Sequence, residues 1–328
     1  MIRIHQNNKG YTLIELLIAT GLGIMMLSGV MQVFTSNSQT IRVVDASARV
    51  QESGRIALDM MARDVRIADY WGCANTVDIL NHLDTSGADT DYDPATDNPT
   101  NAAGLAGQDN ISTSVNIGGI NVTSGTDTVT FRGASQLNGV KVESPYMTVN
   151  SAALHINTGA NLPKGTKILI TDCEGGDYFS NTANNTSTSG TINHNTGNLP
   201  TPGHVNNSIK NMSHTYSSNA VISTPYTTTY FIGPGSTGST SLYRYHPETT
   251  LLPDEIIPNV TDLQLLYGYD TNNNNSANRY QDAPTANLDA TIAVRITITI
   301  ESPNGNIVNG NPLSREYSTT ATIRNRLL

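Results

Sequence analysis

The strongest constraint on this chain is an uncharged run near its N-terminus. After "GYTLIE" (residues 10–15) it reads "LLIATGLGIMMLSGVMQVF", nineteen residues without a charge. From Tyr11 to Phe34 the apolar stretch is 24 residues long, and about 20 suffice to cross a bilayer. Arg3 and Lys9 precede it and acids follow it. That asymmetry places the N-terminus in the cytoplasm and the body outside. One carboxylate, Glu15, sits just inside the front edge. A charge in hydrocarbon costs about 2.5–3.5 kcal/mol on insertion scales, so a chain that keeps one there needs a use for it.

Three readings compete. A cleaved secretory signal should have an apolar core of about 7–15 residues and a small-x-small site. This run is longer, and "QVFTSNSQ" is a poor site. A plain single-span anchor explains the length but neither the Gly10–Tyr11 junction nor Glu15. The third reading starts from "KGYTLIELLIA" (residues 9–19), which resembles the class III signal of type IV pilins and pseudopilins. The resemblance implies cleavage by a prepilin peptidase after Gly10, N-methylation of Tyr11, and an assembly role for Glu15. On that reading the new amine of Tyr11 and the Glu15 carboxylate of a neighbouring subunit neutralise each other among packed helices. Either charge alone would cost several kcal/mol there. The pair would act as a register device.

No proline occurs before Pro94, so a helix is expected from Tyr11 to about Asp69, about 85–90 Å long. Gly72, just before Cys73, is expected to cap it. In its second half Leu58, Met61, Val65 and Ala68 repeat at three and four, one apolar stripe suited to docking on a globular domain. Asp45–Arg49, Arg55–Asp59 and Asp59–Arg63 are spaced as i,i+4 ion pairs on the wet side.

Beyond residue 120 the pattern switches to period two. Strands are expected at 126–133, 166–173, 227–233, 241–246, 260–270, 291–300 and 315–324. Ile292, Val294, Ile296, Ile298 and Ile300 alternate as one buried face requires. The polar stretches 85–104 and 180–198 have little to bury and are expected to be poorly ordered. Charged residues are 14% and net charge is −9. An acidic body of this kind argues against a nucleic-acid binder. No internal repeat is evident.

Two cysteines, Cys73 at the helix exit and Cys173 at a strand end, are too few for a structural zinc site. A disulfide between them would tie helix to sheet in an oxidising periplasm. It would close a loop of about 100 residues, worth about 4–5 kcal/mol on the chain-entropy model. Two buried free thiols are the alternative.

The segments "VQESGRIALDMMARDVRIADYWGC", "ILITDCEGGDYF", "YFIGPGSTGSTSLYRY", "VTDLQLLYGYDTNNNNSANRY" and "ATIRNR" are similar to PilW-type minor pilins, in that family's order. The resemblance implies an α+β, type IV pilin-like fold: a leader (1–10), a transmembrane or filament-core helix (11–34), its amphipathic continuation (35–72) and a β-rich periplasmic head (73–328). It implies a non-enzymatic minor pilin that primes pilus assembly and sits at or near the tip. Its partners would be other minor pilins, the major pilin, the inner membrane and a tip adhesin. A minor pseudopilin of type II secretion is the nearest alternative. A membrane-anchored periplasmic binding protein or enzyme is the alternative from another class.

Other motifs point elsewhere only weakly. Gly233–Gly238 matches G-x-G-x-x-G after a strand, but "STSLYRYH" follows instead of a helix, so a hairpin connection is expected. Asp270, Asn272, Asn274 and Ser276 place oxygens at alternate positions, as at the start of a calcium loop, without the Gly and Glu of an EF-hand. Asp89, Asp91, Asp93 and Asp97 are a second calcium candidate. No other cofactor is expected. The seven histidines form no metal or catalytic motif; five lie in expected loops or the leader, which places them at the surface. Trp71 is expected to pack between helix and body.

Overall fold

The computed structural model describes residues 10–72, 79–84, 104–112, 114–197, 199, 204–283, 288–303 and 311–327. One helix, α1 (Leu13–Ile67), opens the described chain. The chain divides into two compact units, Met1–Glu52 with Ser302–Ser314, and Ser53–Glu301 with Arg315–Leu328.

In the first unit α1 is bare over its first half, while Ala46 and Val50 further along are buried. All its large apolar side chains from Leu13 to Phe34 are exposed. Thr20, Ser28 and Thr35 turn their hydroxyls back onto carbonyls one turn earlier, at 2.9, 2.8 and 3.0 Å. Such back-bonding satisfies polar side chains where water is absent. Asp45 and Arg49 pair at 3.1 Å.

In the second unit the same helix is half covered. Ala57, Leu58, Met61, Ala62, Val65 and Ala68 are buried, so the expected stripe holds and is wider than its four residues. Arg55 and Asp59 lie 3.8 Å apart on the wet side. Gly54 sits under the Tyr317 ring, where a Cβ would fall 2.5 Å from a ring carbon. The helix stops earlier than its apolar pattern suggests. Ala68 still donates to Asp64, but Asp69 takes φ 61, so the left-handed residue is Asp69 rather than the expected Gly72. Gly72 is also left-handed, at φ 75, two residues into the exit.

The strands follow: β1 (Ile79–Asn81), β2 (Leu105–Gln108), the small hairpin β3 (Asn116–Ile117) and β4 (Ile120–Asn121), then β5 (Thr128–Gln136). After them come β6 (Leu154–His155), β7 (Lys167–Thr171), β8 (Gly176–Ser180), the one-turn α2 (Thr186–Ser189) and β9 (Thr191–Ile192). The long strand β10 (Val221–Pro234) leads to β11 (Thr240–Tyr245) and β12 (Asp254–Pro258). The chain closes with β13 (Val260–Tyr269), β14 (Arg279–Gln281), β15 (Thr291–Glu301) and β16 (Ser314–Thr322). All seven expected strands are present, six of them within three residues of their expected ends, while β10 begins six residues earlier than the expected 227.

Two sheets carry the head. The larger, of eight strands, runs β1-β8-β7-β10-β11-β12, with β5 also on β10 and β2 on β5. β10 is long enough to serve β7 with its first residues and β11 with its last. The smaller sheet runs β14-β13-β15-β16. β15 alternates cleanly from Val294 to Glu301, because Val294, Ile296, Ile298 and Ile300 face the core. Asp127 bridges the sheets: its N–H donates to Leu263, and its carboxylate accepts the Leu265 N–H at 2.7 Å. These elements make an α+β fold with mainly antiparallel sheets; the β1–β8 pair is parallel.

The polar stretch 180–197 is built into the head, contrary to expectation. Asn181 and Thr186 are fully buried. The Asn181 amide donates to Leu162 at 3.0 Å, and the Thr186 hydroxyl donates to Ala160 at 2.8 Å. Buried polar side chains are tolerated when bonded in this way. Most of the companion stretch, 85–103, lies outside the described residues and takes the second calcium candidate with it.

Candidate functional site

The helix start collects the residues that the sequence singles out. Gly10 and Tyr11 are exposed, Tyr11 at 91%; the leader before Gly10 lies outside the described residues. Thr12 is the residue before the first helical turn. Its N–H and hydroxyl both donate to Glu15 Oε2, at 3.1 and 3.2 Å, and the Glu15 N–H reaches back to Thr12 Oγ1 at 3.4 Å. This is a reciprocal capping box, Thr-x-x-Glu. Glu15 therefore has a local partner as well as the intermolecular one expected of it. The signal is present in the sequence as T-L-I-E. Thr12 bonds one carboxylate oxygen, Oε2.

The far end of the helix forms a second site, which sequence reasoning misses. Arg326, from the last turn of the chain, donates to Asp69 Oδ2, to the Leu288 carbonyl and to the Thr291 carbonyl. Asn325 donates to the Ala68 carbonyl at 2.8 Å, closing a helix-end acceptor. Asp69 Oδ1 accepts the Trp71 indole N–H at 2.9 Å. Trp71 is buried with Ile79, Leu83, Ala134, Leu169, Tyr178 and Val205, the packing role expected of it. Tyr230 donates to Asp64 at 2.7 Å, and Tyr226 donates to the Ile67 carbonyl at 3.0 Å. Burial pushes the Asp64 carboxyl up, with the Tyr230 hydrogen bond opposing. The chain terminus, the helix exit and β10 thus meet at one junction. In the sequence "ATIRNR" stands out only as a family likeness; its arginine and asparagine are the residues that reach the helix.

Cys173 lies in the bend that follows β7, where Asp172 accepts the N–H groups of Glu174 and Gly175. Cys73 lies outside the described residues, and so does its pairing. Asp270 accepts the Asn272 and Asn275 N–H groups at 3.0 and 2.6 Å, and Asn274 accepts the Ser276 N–H at 2.9 Å. These oxygens hold the turn by its own amides. Among the described residues no cluster of three or more His, Cys, Asp or Glu could hold a metal ion. The G-x-G-x-x-G stretch is the β10–β11 turn, closed by the Gly235 N–H on Ser239 at 2.6 Å.

The histidines depart from expectation. His82 and His194 are buried, at 0% and 2% exposure. His82 Nε2 lies 2.6 Å from Asp177 Oδ1. Ser213, His214 and Asp172 also line up, with Ser213 Oγ 2.9 Å from His214 Nδ1 and His214 Nε2 3.1 Å from Asp172. That order is superficially a nucleophile relay. However, the Ser213 hydroxyl donates to Asp177 at 2.7 Å, so its proton is directed away from the imidazole.

Residues 229–325 match the family model of PilW, the type IV pilus-assembly protein W. The match supports a PilW-type type IV pilus protein. It spans the end of β10, β11, β12, the whole smaller sheet and Asn325 of the junction, and it ties this chain to type IV pilus assembly, with other pilus components as its partners in kind. Comparison with curated proteins and with solved structures finds no match. The described chain has one helix long and apolar enough to cross a membrane, in keeping with membrane anchoring of a PilW-type protein.

Proposed function

We propose that this chain is a minor pilin, made as a membrane-anchored precursor and incorporated at or near the tip of a type IV pilus, where it primes assembly. The observation that carries this reading is the helix from Leu13 to Phe34. It exposes all its large apolar side chains and carries a single capped carboxylate, Glu15. Such a surface needs lipid before assembly and neighbouring helices after it. The PilW match favours the pilus over type II secretion.

On this reading a prepilin peptidase removes residues 1–10, and Tyr11 becomes a methylated N-terminus. Glu15 meets the amine of an adjacent subunit, and the head contacts other minor pilins, the major pilin or an adhesin. Before assembly the N-terminus faces the cytoplasm and the head the periplasm. There we place a Cys73–Cys173 disulfide, which thiol counting with and without reductant checks. Calcium at the Asp270–Ser276 turn would have to displace the amides that now hold its oxygens. Mass spectrometry of the protein from cells tests the whole reading: a chain beginning at methylated Tyr11 is expected, and an intact Met1 would overturn it in favour of a simple anchor.

A further inference from the structure

Three histidines surround one irregular segment, residues 204–217, and each faces acceptors on both sides. His194 is buried with Nδ1 2.7 Å from the Lys210 carbonyl and Nε2 2.8 Å from the Ala152 carbonyl. His82 is buried with Nδ1 3.0 Å from the Ile209 carbonyl and Nε2 2.6 Å from Asp177. His214 lies between Asp172, at 3.1 Å, and a Ser213 hydroxyl whose own proton goes to Asp177. A carbonyl or carboxylate oxygen can only accept, so both nitrogens of each ring must donate. A neutral imidazole has one N–H and leaves a lone pair facing an oxygen at hydrogen-bond distance.

The proton cannot be assigned to Asp177 instead. Burial acts to raise the Asp177 carboxyl, but donors from His82, Tyr216 and Ser213 outweigh it and hold it below the usual range. Tyr216 donates to Asp177 at 2.5 Å, and burial followed by the Asp177 charge pushes the phenol up, so it stays a donor. The other titratable groups on the surrounding chain are Asp84, Asp172 and Glu174, with Lys210 and His204, the latter packed against Gly165, on the segment itself. Phe179 lies edge-on to both buried rings, at 6.4 Å from His82 and 5.7 Å from His194.

We propose that residues 204–217 form a proton-operated strap: imidazolium rings at His82, His194 and His214 hold it down, and loss of their protons releases it. The segment contributes Val205, Met212 and Tyr216 to the core and contacts the bend that carries Cys173, through His214 against Gly175. Release would uncover that side of the head. The sign is fixed by the donors: the closed form binds more protons than the open one, so it weakens as pH rises.

The test uses the full-length chain in detergent micelles. Amide exchange at residues 205–212, corrected for its intrinsic pH dependence, is measured at about pH 5 and about pH 8, with the β10–β11 hairpin as internal reference. The strap predicts at least about tenfold loss of protection at the higher pH and two ring N–H signals for His194 at the lower one. In His194→Gln, which has one donor group, protection should be low at both. If that variant does not fold, the wild-type comparison alone decides. Equal protection at the two pH values, or a single ring N–H on His194 at about pH 5, overturns the proposal.

Discussion

Between Leu13 and Phe34 the helix exposes all its large apolar side chains, whereas between Arg55 and Ala68 it buries one face against the head and keeps Arg55 and Asp59 in water. One continuous helix is therefore written for two solvents. The second stretch has the one-sided apolar stripe of a helix docked on a globular body. The first is apolar all round, and none of the described residues covers it. On the proposed reading, the first stretch serves contacts with other subunits and the second holds the helix to its own head.

The largest effect should come from crossing that boundary by mutation. Met61→Ala empties a fully buried site and should cost about 2–5 kcal/mol in urea unfolding of the full-length chain in detergent. Leu17→Ala, at an exposed site, should leave the same transition within about 0.5 kcal/mol. A large loss from Leu17→Ala would break the comparison, because it would mean that the first stretch also stabilises the head. Arg326→Ala should follow at about 2–3 kcal/mol, since it takes the guanidinium from Asp69 and removes one donor from each of the Leu288 and Thr291 carbonyls. The loss should appear as faster amide exchange around Ala68–Trp71.

How far the sequence reveals this plan varies with the physics of each element. The helix, β13 and β15 are legible because burial on one face imposes a period, whereas β7, β10 and β11 bury runs of residues and are legible by their β-branched and aromatic residues. β8 has no such period: all five residues of "GDYFS" are buried, in a strand between β1 and β7. Asn181, Thr186, His82 and His194 read as surface residues by type and are interior by hydrogen bonding, which composition cannot show. At the site, the Thr12–Glu15 cap is readable from spacing alone. The Arg326–Asp69 contact spans the whole head in sequence, so no local pattern announces it.

A smaller effect sharpens the account of the head alone. Burial, with Asp109 and Asp262 adding, pushes Asp127 up to about 6, against the Asn110 and Leu265 N–H groups that favour its charge. Because the folded value is raised, its contribution is fully present below the ordinary carboxylate range and is lost as pH rises through about 6. Stability should fall by about 2 kcal/mol across that window. In Asp127→Ala that part of the pH dependence should vanish.

The comparison finally rests on Glu15, which caps the helix in the isolated chain and is assigned a charged partner in the filament. Glu15→Gln separates the two roles, because glutamine completes the capping box equally well but carries no charge. Quantifying the subunit in purified pili from cells expressing Glu15→Gln is the most direct measurement. The account predicts normal membrane insertion and a pilus fraction depleted of the subunit; incorporation at the wild-type level would contradict it.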